Sequence, residues 1–286
     1  MTKNNSPCPI CSGATFLSRI RGCELYKCRQ CGFAQVGRQT GKDEIKEIYS
    51  EGFFHPQKYE DLATLNKENE RRFKLLRQFV NQPKANVLEV GCATGDFIRY
   101  AEDEYTMWGI DVSEAAIGKA KKKALLSGPR LRAGFIEEEV YPPGFFDGIV
   151  LWDVIEHLRD PLGTLNRLCN YLKPGGHLLF STPNFGSLAA RLLGKFWWFM
   201  TPPEHLSFFT KKSLQCFAEH RLNCRLVSWE SQGRWSNAGF IFYKWKRIFP
   251  RLIPAWWLKL FQLQFTKNWA LYVPTGDIQY VVLEKP

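Results

Sequence analysis

The chain has 286 residues, of which 45% are hydrophobic and 23% charged, and a formal net charge of +11. That balance supplies a sizeable core and excludes a mostly disordered adaptor, while the length suits one α/β catalytic domain with a small appendage. The basic excess favours an anionic partner, either nucleic acid or an anionic membrane surface.

In chain order, the first residues show no apolar stretch behind a basic start, so the expectation is a cytoplasmic protein whose nine cysteines stay reduced. Residues 1–40 hold five of those cysteines with few aliphatics, which predicts a small, loop-rich, metal-stapled module. Cys8-Pro9-Ile10-Cys11 and Cys28-Arg29-Gln30-Cys31 are two C-x-x-C pairs sixteen residues apart. Each pair can wrap one side of a tetrahedral Zn²⁺, and a four-sulfur site has no open position, so Cys8, Cys11, Cys28 and Cys31 are expected to hold a structural zinc. Gly13 and Gly32, just beyond the pairs, suit the tight turns of such a site, and Cys23 is left as a free thiol.

Residues 41–80 read as a helical cap, with Ile45, Ile48 and Tyr49, then Leu62, Leu65, Phe73, Leu76 and Val80, at helical spacing around an interruption at Phe53-Phe54-His55-Pro56. From 81 to 286 strand patterns at 87–90, 107–111, 131–136, 146–152 and 177–181 alternate with helical ones, and 224–229 and 278–283 close the series. This βαβ rhythm predicts an α/β fold: a Rossmann-like, seven-stranded, mostly parallel sheet with helices on both faces, plus the small N-terminal zinc-binding module.

The strand at 87–90 runs into Gly91-Cys92-Ala93-Thr94-Gly95-Asp96, a small-residue turn in which backbone can approach a ligand closely. A dinucleotide fingerprint requires Gly where Asp96 stands, and no Gly-Lys-Ser/Thr follows for a P-loop, so both of those cofactor classes are disfavoured. Asp111 ends the next strand, where a carboxylate can accept both ribose hydroxyls of an adenosine ligand, and Ser113 fits the N-cap of the following helix.

Those residues, with Trp108-Gly109-Ile110-Asp111, the run from Phe146 to His157 and Leu172-Lys173-Pro174-Gly175-Gly176, resemble the ordered motifs of class I S-adenosyl-L-methionine-dependent methyltransferases over residues 70–286. The resemblance implies that Glu89, Gly91 and Gly95 shape the methionine pocket. It implies further that Asp111 holds the ribose and the residues around Ile136 and Glu137 flank the adenine, with Cys92, Ala93, Val112 and Trp152 completing the cofactor site. Two positions depart from the family: Ala93 stands where Gly is frequent, and Phe135 stands where many members carry Asp.

Two histidine segments follow. Asp153, Glu156 and His157 would share one face of a helix beginning after the fourth strand, at the edge where open α/β sheets bind ligands. In the ubiquinone-pathway O-methyltransferases that this stretch resembles, a similar Asp-x-x-Glu-His set binds a divalent cation such as Mg²⁺; the alternative is that these side chains only cap and brace the helix. Pro202-Pro203-Glu204-His205-Leu206-Ser207-Phe208-Phe209 is similar to a segment of small-molecule methyltransferases, which makes His205, like His157, a candidate general base. The structural alternative is that His205 ties the loop down by a hydrogen bond.

Residues 231–276 read as a basic aromatic insertion: no Asp or Glu, seven cations (Arg234, Lys244, Lys246, Arg247, Arg251, Lys259 and Lys267) and several tryptophans. Such mixtures suit peripheral contact with an anionic membrane at its inner face, a lid over the active site, or single-stranded RNA. The combined expectation is methyl transfer from S-adenosyl-L-methionine to an oxygen of a small or lipid-linked acceptor. Nucleic acid ranks behind that acceptor. The alternatives are an RNA methyltransferase with a zinc ribbon, which lacks support from the Leu151-Trp152-Asp153-Val154 sequence, and a zinc-ribbon binding protein with a degenerate cofactor fold.

Overall fold

The computed structural model describes residues 7–37, 41, 62–123, 130–222, 224–237, 241 and 270–286. The expected helix around 45–49, the 53–56 interruption and residues 238–240 and 242–269 of the basic aromatic stretch therefore lie outside the described residues.

Three short strands, β1 (Thr15–Ile20), β2 (Cys23–Cys28) and β3 (Ala34–Val36), form an antiparallel meander beside the cysteine pairs. The helix α1 (Leu62–Phe79) then leads into β4 (Asn86–Val90), α2 (Asp96–Ala101), β5 (Thr106–Asp111), α3 (Glu114–Lys123) and β6 (Leu131–Ala133). Next come β7 (Phe146–Trp152), a single 3₁₀ turn at Ile155–His157, α4 (Pro161–Tyr171) and β8 (Leu172–Pro183). The chain continues through α5 (Leu188–Leu193), β9 (Ser207–Phe208), α6 (Lys211–Arg221), β10 (Arg225–Asn237) and β11 (Ala270–Glu284).

Seven strands make one sheet in the order β10-β11-β8-β7-β4-β5-β6. β6, β5, β4, β7 and β8 are parallel, whereas β11 runs antiparallel to both β8 and β10. The central strands are buried on both faces, as expected where helices cover a parallel sheet: Val87, Leu88, Ile149, Val150, Leu151 and Leu179 are fully enclosed. One core contains Leu88, Ile110, Ile149 and Phe180; the other, across the sheet, contains Val87, Met107, Val150 and Leu179 beneath Leu76 and Val80 of α1 and its end.

The Rossmann-like architecture is as expected, with four local differences. The third strand stops at Ala133, so Phe135 and Ile136 turn away from the sheet instead of extending it. The helix expected from Asp153 is one 3₁₀ turn, because Asp160 with Pro161 behind it starts α4 and leaves no room for a longer one. β10 and β11 run through both flanks of the basic aromatic stretch, where Arg234–Asn237 pair with Ala270–Val273, so both flanks are strand. Cys169 and Cys224 lie side by side in the core, a meeting the spacing did not suggest, because α4 and the residue before β10 bring these distant positions together.

The cysteine module is docked and not tethered. β3 pairs with β9, so the second sheet runs β1-β2-β3-β9. Cys8, Ile10, Cys28, Cys31 and Phe33 share a core with Phe209, Leu214 and Phe217. The Arg221 guanidinium donates to the Ile10 carbonyl and the Ser12 hydroxyl, at 3.2 and 3.0 Å.

Candidate functional site

The carboxyl ends of β4, β5 and β7 open into one cavity of about 570 Å³. Its floor is the 91–95 loop. Gly91 has φ 74°, and a Cβ there would sit 2.4 Å from Val154 Cγ2, so only glycine fits. Gly95 caps α2 in the left-handed region at φ 75°. Ala93 is also left-handed, at φ 46°, and this explains physically why glycine is the family's usual choice there.

Asp111 sits beside that loop and fastens it. Its Oδ2 accepts the Ala93 N–H at 2.8 Å and its Oδ1 accepts the Ser113 N–H at 2.9 Å. Burial pushes its pKa up, and the two amides oppose the shift. Each carboxylate oxygen retains acceptor capacity toward the cavity, which Asp111 lines. The Ser113 hydroxyl accepts the Ala116 N–H at 3.3 Å, as expected of the N-cap.

Glu89, one residue before the end of β4, is 4% exposed. Burial raises its carboxyl to about 8; the Arg72 guanidinium pulls it down, and Asp111 and Asp96 push it up. Arg72 comes from α1. Its Nη2 donates to Asp153 Oδ2 at 2.7 Å, and its guanidinium lies 5.6 Å from the centre of the Trp152 ring. Asp153 has φ 57°, and its Oδ1 accepts the Ser181 hydroxyl at 2.8 Å.

Four buried polar atoms on cavity-lining residues have no hydrogen-bond partner among the described residues: Glu89 Oε2, Asn69 Oδ1, Arg72 Nε and Trp152 Nε1. Unsatisfied buried groups are rare in folded proteins, and two acceptors with two donors around one cavity describe a polar ligand's complement. The far end is walled by α1 and the antiparallel strands. There Tyr280 donates its hydroxyl to Glu68 Oε2 at 3.1 Å, and Arg234 lies 5.8 Å from the Phe199 ring centre.

The histidines meet at this end. His157 Nδ1 lies 2.8 Å from the Glu204 carbonyl oxygen, which can only accept, so that nitrogen carries the proton and Nε2 presents a lone pair. Nε2 is 4.0 Å from Glu156 Oε1, and Glu156 Oε2 accepts the Thr182 hydroxyl at 2.9 Å. Burial drives the Glu156 pKa well up, with Asp153 adding to the rise. The His205 ring stands 4.7 Å from the His157 ring, edge to face, and stacks on Phe199 at 6.3 Å.

Ligand atoms of Glu156, His157 and His205 all lie within 4.8 Å of one another. Asp153 does not join them, because Arg72 and Ser181 hold it; the Asp153, Glu156 and His157 triad expected from spacing needed a helical turn that the chain does not make. A donor set of one carboxylate and two imidazoles suits Mg²⁺ poorly.

The four sulfurs of Cys8, Cys11, Cys28 and Cys31 lie within 4.8 Å of one another, with Cys8 to Cys31 at 3.7 Å and Cys11 to Cys28 at 3.5 Å. A tetrahedron with metal–sulfur bonds of about 2.3 Å has edges of about 3.8 Å, so the set fits zinc. The Gln30 and Cys31 amides point at Cys28 Sγ from 3.4 and 3.5 Å, and a hydrogen bond from Cys31 lowers the Cys8 thiol to about 5. Cys23 stands apart from the cluster.

Of the residues expected from sequence, Glu89, Gly91, Cys92, Ala93, Asp111, Val112, Ile136, Glu137, Trp152, Asp153 and His157 line the cavity. Gly95 shapes the loop from behind, and Glu156 and His205 stand behind His157, off the wall. Sequence reasoning missed Arg72, Glu68, Asn69 and Tyr280, and named Arg234 only among the cations of the basic aromatic stretch. Arg72 sits in a charged helical stretch that reads as a solvated face; its only signal is its place one helix before the cofactor strand.

A family model described as "Methyltransferase domain" matches residues 63–228. A ubiquinone biosynthesis O-methyltransferase of Vibrio parahaemolyticus is 28% identical over 144 residues, covering 44% of this chain and 61% of that protein. The Methylococcus capsulatus protein of the same name is 28% identical over 183 residues, covering 63% and 75%. The chain thus spans less than two thirds of the first relative's length. Magnesium protoporphyrin IX methyltransferase from Synechocystis, solved with bound SAH, shares the fold: TM-score 0.56 at 12% identity, over 86% of this chain and 100% of that one.

Proposed function

This chain belongs to the methyltransferase-domain family, and from that premise we propose that it transfers a methyl group from S-adenosylmethionine to an oxygen of a small or lipid-linked acceptor. The observation that carries the reading is the single cavity: its loop end joins the 91–95 turn to Asp111, and its far end gathers Arg72, His157 and Tyr280. When bound, S-adenosylmethionine supplies an electrophilic methyl on a sulfonium centre.

Asp111 would hold the ribose hydroxyls, and Glu89 and Arg72 would take the charged ends of the methionine part through the buried Oε2 and Nε, which have no partner among the described residues. His157 is the group placed to take the acceptor's proton: its Nε2 lone pair is fixed by the Nδ1 bond to Glu204, and it lines the cavity. His205 acts through His157 and Phe199, as a positioning residue. Trp152 and the cavity's apolar walls exclude water from the transfer.

Cys8, Cys11, Cys28 and Cys31 would hold zinc in a structural role. We also propose peripheral contact with an anionic membrane at its cytoplasmic face through the cations and tryptophans between β10 and β11; among the described residues no helix is long and apolar enough to cross a bilayer. Co-sedimentation should need anionic vesicles and weaken with salt; binding to neutral vesicles alone, or none at either ionic strength, rejects that contact. The acceptor reading is tested with methyl-labelled donor and separated lipid, small-molecule and RNA fractions. Label in lipid or small molecules is expected, and label confined to RNA overturns it.

A further inference from the structure

The segment that carries His205 has two edges, and the cysteine module holds one of them. Ala34 pairs with Phe208 and Gln35 with Ser207, and the Val36 N–H donates to the Leu206 carbonyl at 2.9 Å. The Thr210 hydroxyl donates to the Cys31 carbonyl at 2.7 Å, and the Phe33 and Phe209 rings lie 5.2 Å apart. The other edge faces the cavity wall. Leu206 N–H donates to the Glu156 carbonyl at 2.8 Å, and the Glu204 carbonyl accepts the Nδ1 proton of His157.

We infer that the metal-bound cysteine module braces a wall of the acceptor site from behind, positioning His205 and setting the tautomer of His157 by pairing β3 with β9. The inference rests on reading the four cysteines as a metal site. A two-residue strand does not hold its place without a partner, and its ladder partner is β3. β3 itself belongs to a meander of 6, 6 and 3 residues, too small to persist on apolar burial alone. Losing the metal therefore loosens β3, then residues 204–208, then the carbonyl that fixes the proton on His157 Nδ1. The cofactor loop is held by bonds of its own: Asp111 and the 91–95 turn sit on β4 and β5 and are bonded to each other.

The test uses the full chain in three variants. Cys28→Ser removes a metal ligand; Val36→Pro removes the N–H that bonds Leu206 while leaving all four cysteines; Val36→Ala keeps that N–H. Metal content, S-adenosylhomocysteine affinity, amide exchange over 204–208 and the imidazole ¹⁵N shifts of His157 are read together, with His157→Gln and His205→Gln assigning the resonances. In the wild type His157 should be protonated at Nδ1. Cys28→Ser and Val36→Pro should both mix in the Nε2–H form and speed exchange of the segment by about tenfold, the scale of one or two lost backbone bonds. Cofactor-product affinity should stay within about twofold, as for distant, independent sites. An unchanged His157 tautomer in Val36→Pro overturns the inference, as does an equal shift in Val36→Ala. A wild type without metal would reject the zinc reading alone, because Val36→Pro still decides the coupling.

Discussion

Glu89→Gln is the substitution whose consequences are most sharply defined. The carboxyl is enclosed at the end of β4, its Oε2 has no partner among the described residues, and burial raises it to about 8 despite the pull of Arg72. At pH 7 only about one molecule in ten would then be ionised before ligand arrives. An incoming ammonium group needs the carboxylate, so binding should expel roughly 0.9 proton at pH 7, and affinity should rise nearly tenfold per unit between about pH 6 and 7.5. Glu89→Gln should abolish that slope and weaken S-adenosylhomocysteine binding at pH 8 by about 1.5–3 kcal/mol, the range for a hydrogen bond to a charged group. Calorimetry in two buffers of different ionisation heat reads the proton directly. A wild-type heat that does not depend on buffer, or a Gln variant with the wild-type slope, would falsify the role given to Glu89. Stability carries the opposite trend. The folded state keeps a proton that the unfolded chain has released between the ordinary glutamate value and about 8, so the ligand-free protein should lose stability as pH rises through that window, and Glu89→Gln should not.

Arg72→Leu should weaken S-adenosylhomocysteine by about 10- to 100-fold, because it removes one charge-assisted bond and the cation that lowers Glu89; affinity within twofold of wild type contradicts it. Ala93→Gly should leave binding intact and raise stability by about 0.5–1 kcal/mol, since relief of a left-handed alanine exceeds the entropy gained by the unfolded chain; a lower melting temperature would count against the strain at φ 46°. His157→Gln should slow methyl transfer by roughly 10²–10⁴ with cofactor affinity unchanged, and a normal rate would remove His157 as the base.

Legibility in the sequence followed locality. The turn after 87–90, the carboxylate at 111 and the paired cysteines are short-range patterns in which each residue type serves one geometric demand, and all of them appear at the expected places. The His157 and His205 pair was legible only as two separate segments, because their meeting depends on β9 crossing to the cysteine module's sheet. Arg72 and Tyr280 reach the cavity from α1 and β11, elements that precede and follow the cofactor motifs, and nothing in their immediate neighbours distinguishes them from surface and core residues. Asp153 misled for the same reason: spacing of i, i+3 and i+4 matters only on a helix, and Asp160 with Pro161 start the next helix too soon.

The most direct measurement is carbon NMR of the product made with ¹³C-methyl S-adenosylmethionine and a lipid and small-molecule extract, comparing wild type with Asp111→Ala. The account predicts a new methoxy carbon from the wild type and none from the variant. An N-methyl or C-methyl carbon, or a methoxy signal undiminished by Asp111→Ala, would contradict it.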